Sequence, residues 1–109
     1  MSATQENLAA LQRRQAPCRL CPRNCGVRRE NGRLGYCKAP RELIVSGAGP
    51  HFGEERVLVG TGGSGTIFLA GCNLLCVFCQ NWDISHGVQG ARWTVEDVVY
   101  AMLRLAAAG

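Results

Sequence analysis

The sequence predicts an α/β domain in which a cysteine-rich N-terminal extension precedes a single strand–loop–helix unit. Three observations carry that prediction. Thr66 to Ala70 (TIFLA) is a nearly continuous apolar run, as expected of a strand buried on both faces in a parallel sheet. Residues 94–108 combine a capping pattern with a broad apolar face, which marks a helix. Seven cysteines fall into two groups, four within residues 17–41 and three in the loop 71–80 that follows the apolar run. The 109 residues make one small domain. Fourteen glycines and seven aromatics give it a weak core of its own, so metal or further chain is expected to hold it together.

Residues 1–16 read as an N-terminal helix. Ser2 or Thr4 can cap it, Leu8 and Leu11 share one side, and Pro17 disfavours helical geometry at Ala16. Residues 17–41 hold Cys18, Cys21, Cys25 and Cys37 among Pro22, Gly26, Gly32, Gly35 and Pro40, a pattern of short turns tied at a centre. Residues 42–109 start the main domain. Glu42 to Ser46 and Arg56 to Val59 are short strand candidates separated by the turn-rich Gly47-Ala48-Gly49-Pro50. The core strand 66–70 and loop 71–80 come next. In the last helix the Thr94 hydroxyl can accept from a first-turn amide, with Glu96 and Asp97 at the positive end of the dipole. Val95, Val98, Val99, Met102, Leu103 and Leu105 form its apolar face. One strand–loop–helix unit cannot cover its own sheet edge, so the chain reads as the start of a larger domain.

Charge is unevenly spread. Residues 13–41 hold nine basic side chains against Glu30 alone, a net +8, while the whole chain is +4. Clustered arginines can neutralise phosphates, but Tyr36 is the one aromatic among them, and nucleic-acid binding is not expected. An odd cysteine count leaves a thiol over in any disulfide framework, which favours metal. The N-terminal residues form a polar run without the apolar core of a signal peptide, and no apolar run approaches the roughly 18 residues of a membrane span. A reducing cytoplasm, without membrane, is the expected setting.

Cys72, Cys76 and Cys79 form C-x3-C-x2-C directly after the apolar run. Three thiolates within eight residues can converge on one face of a metal centre. Structural zinc closes with four protein ligands, and here His86 stands near enough to be the fourth. A cubane iron–sulfur cluster can instead take three thiolates and keep its fourth iron open. Cys18-x2-Cys21-x3-Cys25-x11-Cys37 has enough thiols for a closed tetrahedral zinc or a second iron–sulfur cluster. Its Cys21–Cys25 spacing is one residue longer than a plain zinc-ribbon knuckle, and nearby arginines offset thiolate charge.

The three-cysteine motif, with Phe78 before its third cysteine and a strand before its first, resembles the cluster motif of radical S-adenosylmethionine enzymes. Cys18-x2-Cys21-Pro22-x2-Cys25-Gly26-Val27, Gly32-x2-Gly35-x-Cys37, His51-Phe52-Gly53-Glu54-Glu55, Gly63-Ser64-Gly65-Thr66-Ile67-Phe68 and Cys79-Gln80-Asn81 extend the likeness. Together they resemble the pyruvate-formate-lyase-activating-enzyme-like branch, from about residue 17 to the end. The resemblance implies that Cys72, Cys76 and Cys79 hold a [4Fe-4S] cluster whose open iron binds S-adenosylmethionine. It implies reductive cleavage of that cofactor to a 5′-deoxyadenosyl radical, with a low-potential electron donor and a protein substrate as partners. Leu74, Leu75, Val77 and Phe78 would pack the loop and keep water off the cluster. The fold implied is the first unit of a partial (β/α) barrel. The family's glycine-rich segment for the cofactor's methionine end would lie beyond Gly109, so the 109 residues alone are expected to be inactive. The competing reading is a non-catalytic zinc or iron–sulfur module.

Other features read as structural. Gly60-Thr61-Gly62-Gly63-Ser64-Gly65 matches G-x-G-x-x-G, but it opens into a strand where a dinucleotide site requires a helix. His51 reads as a loop-packing histidine, and Glu54 and Glu55 as solvated. Gln80, Asn81 and Asp83 read as support for the loop backbone, and Trp82 and Trp93 as packing residues.

Overall fold

The computed structural model describes residues 2–109; Met1, in the expected helical segment 1–16, lies outside them. Helix α1 spans Ala3–Arg13, β1 Leu43–His51, α2 Arg56–Val59, β2 Ser64–Leu69, α3 Trp82–Ser85, β3 Ala91–Trp93 and α4 Val95–Ala108. A short 3-10 turn covers Arg29–Asn31. The three strands form one antiparallel sheet in the order β2-β1-β3.

The two long helices begin with reciprocal caps, each within four residues of sequence. Ser2 Oγ accepts the Gln5 N–H at 3.3 Å, and Gln5 Oε1 accepts the Ser2 N–H at 2.8 Å. Thr94 Oγ1 accepts the Asp97 N–H at 3.1 Å, and Asp97 Oδ2 accepts the Thr94 N–H at 2.8 Å. Helix α1 ends at Arg13, two or three residues before the end expected from Pro17.

Strand β1 passes through Gly47-Ala48-Gly49-Pro50, where a turn was expected. The β2 backbone opposite satisfies this stretch, pairing Gly47 with Phe68, Gly49 with Thr66 and Pro50 with Gly65. Thr66 Oγ1 adds a bond to Gly49 O at 2.8 Å, and a bulge between Val45 and Gly47 absorbs the irregularity. Arg56–Val59 is a helical turn, not the expected strand. Its bonds close locally, from Val59 N–H to Glu55 O and from Gly60 N–H to Arg56 O, as the chain reverses between two antiparallel strands. The parallel, doubly buried core strand is also corrected. Strand β2 lies at a sheet edge, and Phe68 and Leu69 are exposed.

The buried core is small: Cys18, Val45 and Ala70, with Ser85 the buried polar residue. Helix α4 lies against all three strands. It uses a narrow stripe of half-buried Val98, Ala101 and Leu105, with Leu105 over Gly65. Val95, Val99, Met102 and Leu103, expected on the apolar face, remain exposed. The radius of gyration is 16.0 Å, against about 13 Å for a compact chain of this length. Core burial alone therefore holds the domain weakly.

Candidate metal centre

The first cysteine group is built on a folded-back loop. Cys18 N–H donates to Val27 O at 3.0 Å and Gly26 N–H donates to Cys18 O at 3.1 Å, closing residues 18–27 on themselves. Cys18 is 4% exposed. Burial pushes its thiol up, but the Leu20 N–H and the Arg29 guanidinium outweigh this and hold it below the ordinary thiol value. A Cβ at position 35 would stand 2.8 Å from Cys25 Sγ, so glycine there leaves the thiol its room. Arg29 reaches Cys37 Sγ through Nη2 at 3.5 Å and is fixed by Nε donating to Ala39 O at 2.6 Å. The Arg29 guanidinium thus lies at Cys37 and lowers the Cys18 thiol, while the four cysteines of this group do not converge on one point among the described residues. Cys21 is half-buried on the same turn, its carbonyl accepting the Asn24 N–H.

The second group lies on the loop between β2 and α3. Gly71 opens it with φ +93°, a conformation that favours glycine, and any Cβ there would be 3.0 Å from Cys37 O. Cys72 N–H donates to that same carbonyl at 3.3 Å. Arg23 Nε donates to Asn73 O at 2.9 Å, and its guanidinium lies 3.8 Å from the centre of the Tyr36 ring. The loop 71–80 therefore rests on the cysteine-rich extension. Leu75 has φ +53°, and the N–H groups of Leu75 and Leu74 lower the Cys72 thiol from its ordinary value. Leu74 N–H is 3.4 Å from Cys72 Sγ. Cys79 N–H donates to Cys76 O, closing a tight turn between the last two cysteines.

Several donors aim at sulfur, an arrangement suited to thiolates. Among the described residues, no three His, Cys, Asp or Glu side chains converge closely enough to grip one metal ion. A zinc ion needs its thiolates about 2.3 Å from one point. A cubane places its irons at separate corners and accepts cysteines that stand farther apart. The soft, three-thiol loop with N–H groups on Cys72 fits a cluster by its donor chemistry.

His86 makes its contacts with the residues of α3. Its Nδ1 lies 2.8 Å from Ser85 Oγ, and its ring stacks on Trp82 at 3.6 Å. Ser85 Oγ in turn donates to Cys79 Sγ at 3.3 Å. Asn81 makes no side-chain cap to α3, and the bonds here are main-chain ones: Asn81 O accepts from Ile84 and Ser85 N–H, and Asp83 O accepts from Gln89 N–H. His51 faces Glu54 at 3.6 Å. Val77 and Phe78 are 87% and 86% exposed, and Leu74 is also exposed. The expected loop packing by Phe78 is therefore not made within these residues. Ser85, Arg29 and Arg23 were not singled out by the sequence. No spacing signal marks Ser85; for the arginines, only the local excess of positive charge pointed their way.

No family model matches the chain, and no solved structure does. It is similar to an uncharacterized protein of Methanocaldococcus jannaschii, with 53% identity over 69 residues. That match covers 63% of this chain and 19% of the relative, so it spans about a fifth of the relative's length. Among the described residues, no helix is long and apolar enough to cross a membrane.

Proposed function

We propose that Cys72, Cys76 and Cys79 hold a [4Fe-4S] cluster with one iron open to S-adenosylmethionine, as the cluster-binding part of a radical enzyme similar to glycyl-radical-enzyme activases. The observation that carries this reading is a ten-residue loop bearing three thiols, with main-chain N–H groups and a buried hydroxyl turned on their sulfurs. When bound, the cluster supplies the electron that splits S-adenosylmethionine to methionine and a 5′-deoxyadenosyl radical. This chain's residues have a supporting role. Leu74 and Leu75 N–H groups favour the thiolate of Cys72, and Arg23 pins the Asn73 carbonyl so that the loop keeps its shape. Exposed Leu74, Val77 and Phe78 are an apolar lip that further chain would cover to exclude water. Among the described residues, the unpaired edge of β2 and the exposed stripe of α4 suit the addition of further chain. A low-potential donor and a protein substrate are the partners, in the cytoplasm.

The test is anaerobic reconstitution of wild type and Cys76→Ala, with iron, sulfide and zinc measured. The reading expects iron and sulfide in near-equal amounts in wild type and their loss in the variant. A chain that takes up zinc and no sulfide contradicts it.

A second reading, a non-catalytic zinc or iron–sulfur module, is favoured by the Leu20 N–H on Cys18 and by Arg29 between Cys18 and Cys37. Both features suit a four-thiolate site of Cys18, Cys21, Cys25 and Cys37 whose negative charge needs an offset. The readings are compatible if the two groups load separately.

A further inference from the structure

Helix α3 holds the cluster loop at both ends. Its Ile84 carbonyl accepts the Gly71 N–H at 3.0 Å, where the loop begins. Its Ser85 hydroxyl reaches Cys79 Sγ at 3.3 Å, where the loop's cysteines end. Ser85 is 7% exposed, the buried polar residue of the described chain, so its hydrogen bonds are made out of water. A serine hydroxyl has one proton. With that proton on Cys79 sulfur, the Ser85 oxygen must accept from its other neighbour, His86 Nδ1 at 2.8 Å. The imidazole then carries its proton on Nδ1. Trp82, stacked on His86 with planes 8° apart, holds the ring in that orientation.

We infer that Ser85 is a positioning residue for the metal centre: oriented by His86, its hydroxyl fixes the Cys79 thiolate and raises the reduction potential of the cluster. The inference rests on the proposed cluster at Cys72, Cys76 and Cys79. A hydrogen bond to a ligating sulfur stabilises the more negative, reduced state more than the oxidised one. Removing it lowers the potential and loosens the ligand. Asparagine at position 86 can present an amide N–H close to where Nδ1 stands, whereas alanine cannot.

The test uses the reconstituted full chain as wild type, S85A, S85T, H86A and H86N. Midpoint potential is read by redox titration, and cluster retention by bleaching under an iron chelator. Far-UV circular dichroism checks the fold. The expected result is a more negative potential and roughly tenfold faster bleaching for S85A. H86A should show a smaller change in the same direction, with S85T and H86N close to wild type. If S85A keeps the wild-type potential and bleaching rate, Ser85 only packs, and the inference falls while the cluster stands. Equal damage in S85A and S85T also assigns packing and overturns it. Wild type that assembles no cluster overturns the proposed function itself, and the inference with it.

Discussion

The carbonyl of Cys37 accepts the N–H of Cys72 at 3.3 Å, so the last cysteine of one group holds the first cysteine of the other. Cys37 faces both ways. Its sulfur lies against Arg29 within the first group, and its main chain carries the start of the loop 71–80. The cysteine-rich extension is thus the platform on which residues 71–80 sit, a relation that spacing along the chain does not express. The connection runs through backbone, so it survives replacement of a thiol but not displacement of the segment.

On the proposed reading, loss of one thiol from the loop 71–80 leaves metal uptake by the first cysteine group unchanged. Cys76→Ala is expected to abolish the iron–sulfur signal of the proposed cluster while any metal taken up through Cys18, Cys21, Cys25 and Cys37 is retained. Metal analysis by mass spectrometry checks this. Simultaneous loss of both metals would mean that the two groups form one cooperative centre.

Gly71→Ala should strain this junction. The residue has φ +93°, and the added methyl would lie 3.0 Å from Cys37 O and 3.3 Å from Ala39 Cβ. A destabilisation of about 1–3 kcal/mol is expected, read as a lower denaturant midpoint. An unchanged midpoint would show that the junction gives way without penalty.

Arg23→Ala removes a bond to Asn73 O and the stacking on Tyr36. Both are solvent-accessible, so the expected loss of stability is about 1 kcal/mol, with faster bleaching of a reconstituted cluster. Arg23→Lys keeps the charge but not the planar fork and should behave nearer to alanine. If lysine restores wild-type retention, charge alone is what the loop needs.

Arg29→Met tests the counter-charge. The guanidinium reaches Cys37 Sγ, lowers the Cys18 thiol and is anchored on Ala39 O, so its removal leaves the thiols without an offset. Affinity of the first group for zinc should fall roughly tenfold, measured by competition with a chromophoric chelator. Unchanged affinity would remove Arg29 from the account of that site.

Asp97 sets a pH dependence. The Thr94 N–H, and then the Thr94 hydroxyl, hold its carboxyl below the ordinary carboxylate value. The unfolded chain therefore takes up this proton first as pH falls. The cap's contribution is complete above the ordinary value, near pH 4, and is lost as pH drops through the lower folded value. A carboxyl-carbon titration by NMR should show the depressed midpoint, and Asp97→Asn should abolish that part of the acid sensitivity. A midpoint at the ordinary value would show that the cap is open in solution.

What the sequence reveals follows from how local each feature is. The caps at Ser2 and Thr94 need a donor and acceptor three residues apart, so both helices are readable. The cysteine groups are readable because ligand spacing is itself local chemistry. Strand β2 was recognisable from its β-branched and apolar run, but its partners were not. Pairing with the glycine-rich β1 runs against the turn propensity of Gly47 to Pro50, and tertiary hydrogen bonding prevails. Arg56–Val59 has strand-like side chains and forms a helical turn because the reversal between β1 and β2 satisfies its backbone locally. Helix α3 is four residues long, too short for any periodicity to show. Ser85 therefore had no signal, although it contacts a cysteine that did. The links from Arg23 to Asn73 and from Cys37 to Cys72 join residues far apart in sequence, and only the fold brings them together.

The proposed centre is an iron–sulfur cluster with an iron open to S-adenosylmethionine. It is tested most directly by electron paramagnetic resonance of the anaerobically reconstituted, reduced chain, with and without that cofactor. The expected result is a [4Fe-4S]⁺ signal, lost in Cys76→Ala, whose shape changes when S-adenosylmethionine is added. A cluster signal indifferent to the cofactor would contradict the open iron in these residues, and zinc with no cluster would contradict the radical reading as a whole.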